Sequence, residues 1–336
     1  MQPSLRALYR WSGRALVDRA EREWSLILKA WLRDPKTDQP TTWNYWKREF
    51  LAYSSGMLDG IPGIGAPRLL GAVDQGEVAF LWLEDVPEAE PRWETDRYVL
   101  AARHLGRFNG AYVADLPLPD ADFLTRTYLR SWTNWIPWLD SARSTKSWSH
   151  AIVAAAIPTP PIERLERLYL RVAFLFDRLE ALPQTLSHLD AWRANLIGSR
   201  SGTGEDRTVA IDWSFVGMAP AGQDLAILIG GSHIWLDAEP DQLATMSARA
   251  FAAYVDGLRE AGWRGDDGVV RFAYAASAAL YMVPPLPFWF ARIADPARRE
   301  WLERKCRRDA HEIVRAWALL LDHMLGLADE AYALVE

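Results

Sequence analysis

Cysteine is nearly absent from this sequence. Cys306 is the single one among 336 residues, so neither an internal disulfide nor a cysteine-built zinc module can form. An excess of positive charge is missing too. The 38 Lys and Arg stand against 44 Asp and Glu, a net charge of -6, so no basic stripe for nucleic acid is expected. His104, His150, His233, His311 and His323 share no metal-ligand spacing. The longest uncharged stretch, residues 272–290, is interrupted by Pro284, Pro285 and Pro287. It reads as a buried helix followed by an aromatic loop, and no membrane partner is expected. The first residues are rich in Arg and lack an apolar core segment, so a secretory signal is not expected and the setting reads as cytoplasmic. Glycine is scarce at the start, where Gly13 is the only one ahead of Lys29. Tryptophan is the opposite case. Its 18 copies are several times ordinary usage.

The patterning is that of a globular chain, 50% hydrophobic and 24% charged, long enough for two lobes. RALYRWSG and WSLILKAW read as strands. From Thr42 to Leu58, Trp46, Phe50, Tyr53 and Met57 recur at helical spacing, with Thr41 or Thr42 as the cap. GIPGIG at residues 60–65 follows a helix and precedes a strand, the wrong order for a phosphate loop, and reads as a turn. VAFLWLEDV is a second buried strand. Beyond residue 96 or so the chain is mostly helical, with one hairpin in which NLIG and TVAIDW are joined by SGTG.

That hairpin carries the chemistry. In His188-Leu-Asp190-Ala-Trp-Arg-Ala-Asn195, a carboxylate and an amide oxygen lie on one turn, and Asp212 follows at the end of the second strand. Phosphoryl transfer needs a carboxylate to orient the attacking hydroxyl and oxygen ligands for the ions that neutralise the phosphates.

On these residues the sequence resembles the aminoglycoside phosphotransferase and choline kinase family, whose signature is H-x-D-x-x-x-x-N with a later apolar-Asp-Trp. The continuation Gly217 and Gly222-Gln-Asp224-Leu-Ala agrees. The resemblance implies an α+β, bilobal, protein-kinase-like fold. Residues 1–84 would form a small β-rich N-lobe with an abbreviated glycine-rich loop. Residues 85–336 would form a larger helical C-lobe with the embedded catalytic hairpin. It also implies an ATP-dependent transfer to a small-molecule hydroxyl (a sugar, an aminoglycoside or a related natural product), with GTP an alternative donor and Mg2+ the metal. Antibiotic resistance would be one setting. Asp190 would be catalytic, and Asn195 and Asp212 would hold the metal. Lys29 would reach the phosphates, oriented by Glu49, and the backbone of Glu84 and Val86 would receive the adenine. His188 and Asp224 would brace the catalytic loop. Arg193, inside that loop, would either touch the transferring phosphate or be a solvated arginine. One departure concerns the opening of the fold, where the first strand reads as shortened or missing: either Trp11-Ser-Gly-Arg14 forms an abbreviated phosphate loop, or the phosphates are less covered than the family's. The alternative function is a pseudokinase or nucleotide-binding regulatory protein.

The acceptor side is read from aromatics. Trp132, Trp135, Trp138, Trp148 and Trp289 fall where the family builds its acceptor cleft. They form either a stacking platform or, at helical spacing, core. A polycationic acceptor would demand an acidic subsite, and the C-terminal LADEAYALVE offers carboxylates. The assembly is expected to be a monomer or homodimer.

Overall fold

The computed structural model describes residues 5–200 and 204–335. Strands β1 (Leu5–Val17) and β2 (Ala20–Leu32) form a long antiparallel hairpin. It closes through Asp18 and Arg19, both at positive φ, the backbone that matches strand twist in a two-residue turn. Trp11–Arg14 is therefore not a loop but continuous strand, in register with Leu26–Glu23. Gly13 has a packing reason here, since a Cβ on it would lie 3.0 Å from the Trp24 ring. Helix α1 (Arg48–Ser54), β3 (Leu69–Asp74) and β4 (Val78–Glu84) complete this part, in a sheet of order β1-β2-β4-β3. Among the described residues, one strand precedes the lysine strand.

Helix α1 is shorter than the 42–58 pattern predicts. Pro40 and the turns Thr42 N–H to Gln39 O and Tyr45 N–H to Thr42 O occupy residues 39–45. The N-cap is Lys47, without a side-chain bond, and neither Thr41 nor Thr42 serves. Trp46, Phe50 and Tyr53 are nevertheless all buried; burial of an apolar stripe does not require every member to be helical.

The larger part begins with α2 (Thr95–Ala114). The aromatic stretch splits into four short helices, α3 (Tyr128–Trp135), α4 (Trp138–Arg143), α5 (Thr145–Trp148) and α6 (Ala151–Ala156). After α7 (Ile162–Glu180) come four short strands, β5 (Gln184–Ser187), β6 (Leu196–Arg200), β7 (Asp206–Ala210) and β8 (Gly217–Pro220). They pair as β5–β8 and β6–β7. Residues 201–203 of the SGTG connection lie outside the described residues. Helix α8 (Gln223–Ile234) is buried along its whole length, with an apolar middle from Leu225 to Gly231, as an interior helix must be. Around it stand α9 (Leu243–Glu260), α10 (Asp267–Met282), α11 (Pro285–Arg292), α12 (Pro296–Cys306) and α13 (Ala310–Ala333). The expected aromatic loop after the prolines is the helix α11. Its Pro285 and Pro287 sit in the first turn, where the missing N–H has no intrahelical partner to lose. The stretch Asp267–Arg292 is long and apolar enough to cross a membrane, but 89% of its most apolar 18-residue window is buried inside the protein.

Candidate active site

Burial and hydrogen bonding first fix the loop that carries Asp190. Asp224, at the start of α8, accepts from the backbone N–H of His188 at 3.0 Å and of Leu189 at 2.8 Å. It also accepts from Asn109 Nδ2 at 3.1 Å. Leu189 is held at φ 63°, a cost of order 1 kcal/mol that the surrounding bonds must offset. His188 Nε2 contacts Ile211 O at 2.9 Å, and its Nδ1 accepts the Asp190 N–H at 3.2 Å. Both ring nitrogens are thus committed to a neutral imidazole, and burial pushes its pKa down to about 4. His188 is a brace and not a base.

Asn195 gives its Nδ2 hydrogens to Asp190 O at 2.9 Å and to Asp190 Oδ2 at 2.7 Å, which leaves its amide oxygen for a cation. Ile211 N–H to Asn195 O at 2.9 Å draws the two sides of the hairpin together. Asp212 follows at φ 61°, and its Oδ1 accepts from Ser214 Oγ at 2.7 Å. Lys29 Nζ lies 2.7 and 3.0 Å from the Glu49 oxygens and 3.9 Å from Asp212 Oδ1. Lys29, Glu49 and Asp212 thus form one buried polar cluster, and the Ile211 N–H to Asn195 O bond sets Asn195 and Asp190 beside it.

One ammonium between two buried carboxylates explains the electrostatics. Burial works against the Lys29 charge, but Glu49 and Asp212 outweigh it and hold the ammonium above its ordinary value. Burial and Asp212 raise Glu49 despite Lys29. Burial, then Asp212, raises Asp190 well above the carboxylate range, and bonds from Asn195 and Trp192 oppose that. Excess negative charge with oxygen-only donors suits a hard cation such as Mg2+, which keeps several waters and needs one or two protein oxygens. Among the described residues no cluster of three His, Cys, Asp or Glu forms a metal cage; Asn195 and Asp212 would be the oxygen donors for such an ion.

Arg48 carried no signal in the sequence. It is fully buried and has no carboxylate partner. Its Nε donates to Phe123 O at 2.5 Å, Nη1 to Trp43 O at 2.7 Å and Ser214 O at 3.1 Å, and Nη2 to Pro40 O at 3.3 Å and Thr42 O at 2.6 Å. All five guanidinium hydrogens are used. Burial lowers its pKa to about 9. One side chain thus ties α1, the 40–43 turn and the segment after Asp212.

Other expected site residues are placed as follows. Glu84 ends β4, and its N–H is bonded to Arg68 O at 2.9 Å; Val86 follows outside regular structure. Beside them an open cleft of about 420 Å³ is lined by Arg10, Ser12, Arg14, Ser25 and Asp85 among others, and Arg10 pairs with Asp85 at 2.9 Å. Arg193 is neither solvated nor turned to the cleft centre. It pairs with Glu88 at 3.0 Å, donates to Leu196 O and Pro91 O, and covers the Trp93 ring at 4.3 Å, which ties the loop after Asp190 to the irregular segment after Val86. Trp138 and Trp148 are core. Trp138 packs on Tyr169, and Trp148 packs on Phe290 and donates to Ala142 O. Trp132 and Trp289 are half-buried and Trp135 is 54% exposed. Trp132 packs with Trp43, Trp135 and Tyr281.

No curated protein matches the chain in sequence. Among solved structures it is similar to an amicoumacin kinase held with AMP-PNP, Ca2+ and amicoumacin, at 13% identity and TM-score 0.50, over 90% of this chain and 86% of that one. A choline/ethanolamine kinase family protein from Mesorhizobium loti aligns at 15% identity and TM-score 0.45, over 90% and 88%. An aminoglycoside phosphotransferase from Streptomyces rimosus aligns at 18% and 0.43, over 81% and 93%. At these identities the amicoumacin kinase supports the fold alone, which is kinase-like. The sequence model of the phosphotransferase enzyme family matches residues 60–265, more than half of the chain. The chain belongs to the phosphotransferase enzyme family.

Proposed function

We propose that the protein is a small-molecule kinase that moves the γ-phosphate of ATP to an acceptor hydroxyl. The observation that carries this is the buried Lys29–Glu49–Asp212 cluster, set beside the Asp190–Asn195 pair by the Ile211 N–H to Asn195 O bond. Residues 1–84 serve as the nucleotide lobe and 85–336 as the acceptor lobe. The adenine lies against Glu84 and Val86 beside the cleft at Asp85, and Lys29 grips the phosphates with Glu49 holding its ammonium in place. Asn195 and Asp212 hold Mg2+, which supplies charge neutralisation of the phosphates. Asp190 accepts the hydroxyl proton as the acceptor oxygen bonds to the γ-phosphorus and the bond to the ADP oxygen breaks. Positioning and charge carry the catalysis. Trp132, Trp135 and Trp289 are the candidate acceptor aromatics that remain accessible. A need for ATP and magnesium sets the reaction in the cytoplasm.

The test is ADP release from ATP and Mg2+ over a panel of hydroxylated acceptors, for wild type and Asp190→Ala. The reading requires an acceptor-dependent rate that falls at least about a hundredfold in the variant, the share a positioned general base supplies. Equal rates in the two proteins contradict it.

A further inference from the structure

Four tryptophans form one continuous patch that starts at the catalytic loop. Trp192 follows Asp190 by two residues, and its backbone N–H bonds Asp190 O at 2.9 Å. Its side chain lies directly over Gly231 of α8, where a Cβ would come within 2.7 Å of the Trp192 Cβ. The Trp235 ring is 6.4 Å from that of Trp192. Trp289 meets Trp235 edge-on at 5.7 Å, and Trp301 stacks on Trp289 at 6.1 Å and 10°. None of the four is fully buried, and Trp301 is 40% exposed. A contiguous partly exposed aromatic surface leading from a catalytic carboxylate is costly to leave bare and marks a binding face.

The charges around this patch are positive. Lys305 Nζ stands 5.5 Å over Trp192 and 5.6 Å over Trp235, and Arg292 lies 5.6 Å over Trp289. Residues 292–309 hold seven Lys and Arg against four Asp and Glu, in a chain that is acidic as a whole. The carboxylates beside the patch are engaged. Glu239 pairs with Arg92 and Arg308, and burial raises the pKa of Asp237 against the opposing pull of Lys305, Arg193 and Arg307. The C-terminal carboxylates that would suit a polycation are held elsewhere, Asp329 by Arg164 and Glu330 by Arg271.

We propose that the Trp192–Trp235–Trp289–Trp301 face is the acceptor subsite, and that it takes a neutral or anionic molecule with an aromatic or sugar ring, not a polycation. The proposal deepens the kinase reading and rests on it. A ring lies flat on the exposed Trp301 indole, and Lys305 meets the polar or anionic edge.

The experiment titrates 4-nitrophenyl glucoside, 4-nitrophenyl glucuronide and kanamycin by ligand-observed NMR into wild type, Trp301→Ala and Lys305→Met, without nucleotide. Melting temperatures are measured alongside. Both aryl glycosides are expected to bind. Trp301→Ala weakens both about fivefold or more, and Lys305→Met weakens the glucuronide more than the glucoside. Kanamycin competes with neither. Tighter binding of kanamycin than of the glycosides, no glycoside binding, or glycoside binding untouched by both substitutions overturns the proposal. If Trp301→Ala melts early, the glucuronide-to-glucoside ratio in Lys305→Met decides. Because binding is read without turnover, a kinase that fails to release ADP yet binds the glycosides refutes the reaction and spares the subsite. Turnover on kanamycin does the reverse.

Discussion

Arg48 shows how much one buried side chain can decide. Its five bonds end on carbonyls of four turn and loop residues and of Ser214, two residues past Asp212. Lysine keeps the charge but has three donors and no planar fork. Arg48→Lys is therefore expected to lower unfolding stability by about 3 kcal/mol, since each orphaned buried acceptor costs about 1–3 kcal/mol. Chemical denaturation measures this, and a loss under about 1 kcal/mol contradicts the role. His104 offers a second test. His104 Nδ1 lies 2.9 Å from Thr208 Oγ1, which also accepts from Arg97, so a guanidinium stands beside the ring. Burial first, then Arg97, lowers its pKa to about 4. The unfolded imidazole binds protons near pH 6.5 and the folded one does not, so this contribution is present above about pH 6.5 and is lost as pH falls toward about 4. The stability advantage of wild type over His104→Gln should accordingly shrink by up to about 3 kcal/mol between pH 7 and pH 4. A pH-independent difference contradicts the assignment.

Helices here are spaced by their smallest residues. Helices α2 and α9 cross where Gly106 faces Tyr254 O and Gly257 faces Arg103 O, and a Cβ on either glycine would meet that oxygen at 2.1 Å. Gly106→Ala must push the helices apart, and a stability loss of about 2 kcal/mol is expected with helicity kept. Gly326, in the middle of α13 and exposed, has nothing within 4 Å of an added Cβ; there alanine should add about 0.5–1 kcal/mol. Calorimetric melting of the two variants should move in opposite directions. The strand character of RALYRWSG and WSLILKAW and the mostly helical body beyond residue 96 were legible in the sequence, but not the continuous β1–β2 hairpin. The other misread elements were those that prolines reshape. Pro40 confines α1 to its last turns, Pro285 begins a helix where a loop was expected, and Ile136–Pro137 breaks the register between Trp135 and Trp138. That break is why two rings of one apparent stripe have different fates, one exposed and one in the core.

At the scale of the whole molecule, the site joins parts that the chain keeps far apart. Asp190, Asn195 and Asp212 were legible because one loop and one hairpin hold them, so spacing alone nearly sets the geometry. Lys29 and Glu49, 20 residues apart, meet at 2.7 Å across the strand and helix that the pattern anticipated. Arg48 was not legible, because its partners include carbonyls 75 and 166 residues away, and a carbonyl leaves no mark in a sequence. Arg193 was misjudged because Glu88, 105 residues before it, reads as an ordinary surface acid. The patch from Trp192 to Trp301 draws on four separate segments, and only the fold assembles it. The assembled Lys29–Glu49–Asp212 arrangement is tested most directly by calorimetric titration with AMP-PNP, with and without Mg2+, in wild type, Lys29→Met and Asp212→Asn. Saturable binding that needs Mg2+, weakens at least about tenfold (1.4 kcal/mol) in Lys29→Met and loses its Mg2+ dependence in Asp212→Asn is the expected result. Absence of binding at millimolar nucleotide, or binding indifferent to Mg2+ and to both substitutions, contradicts it.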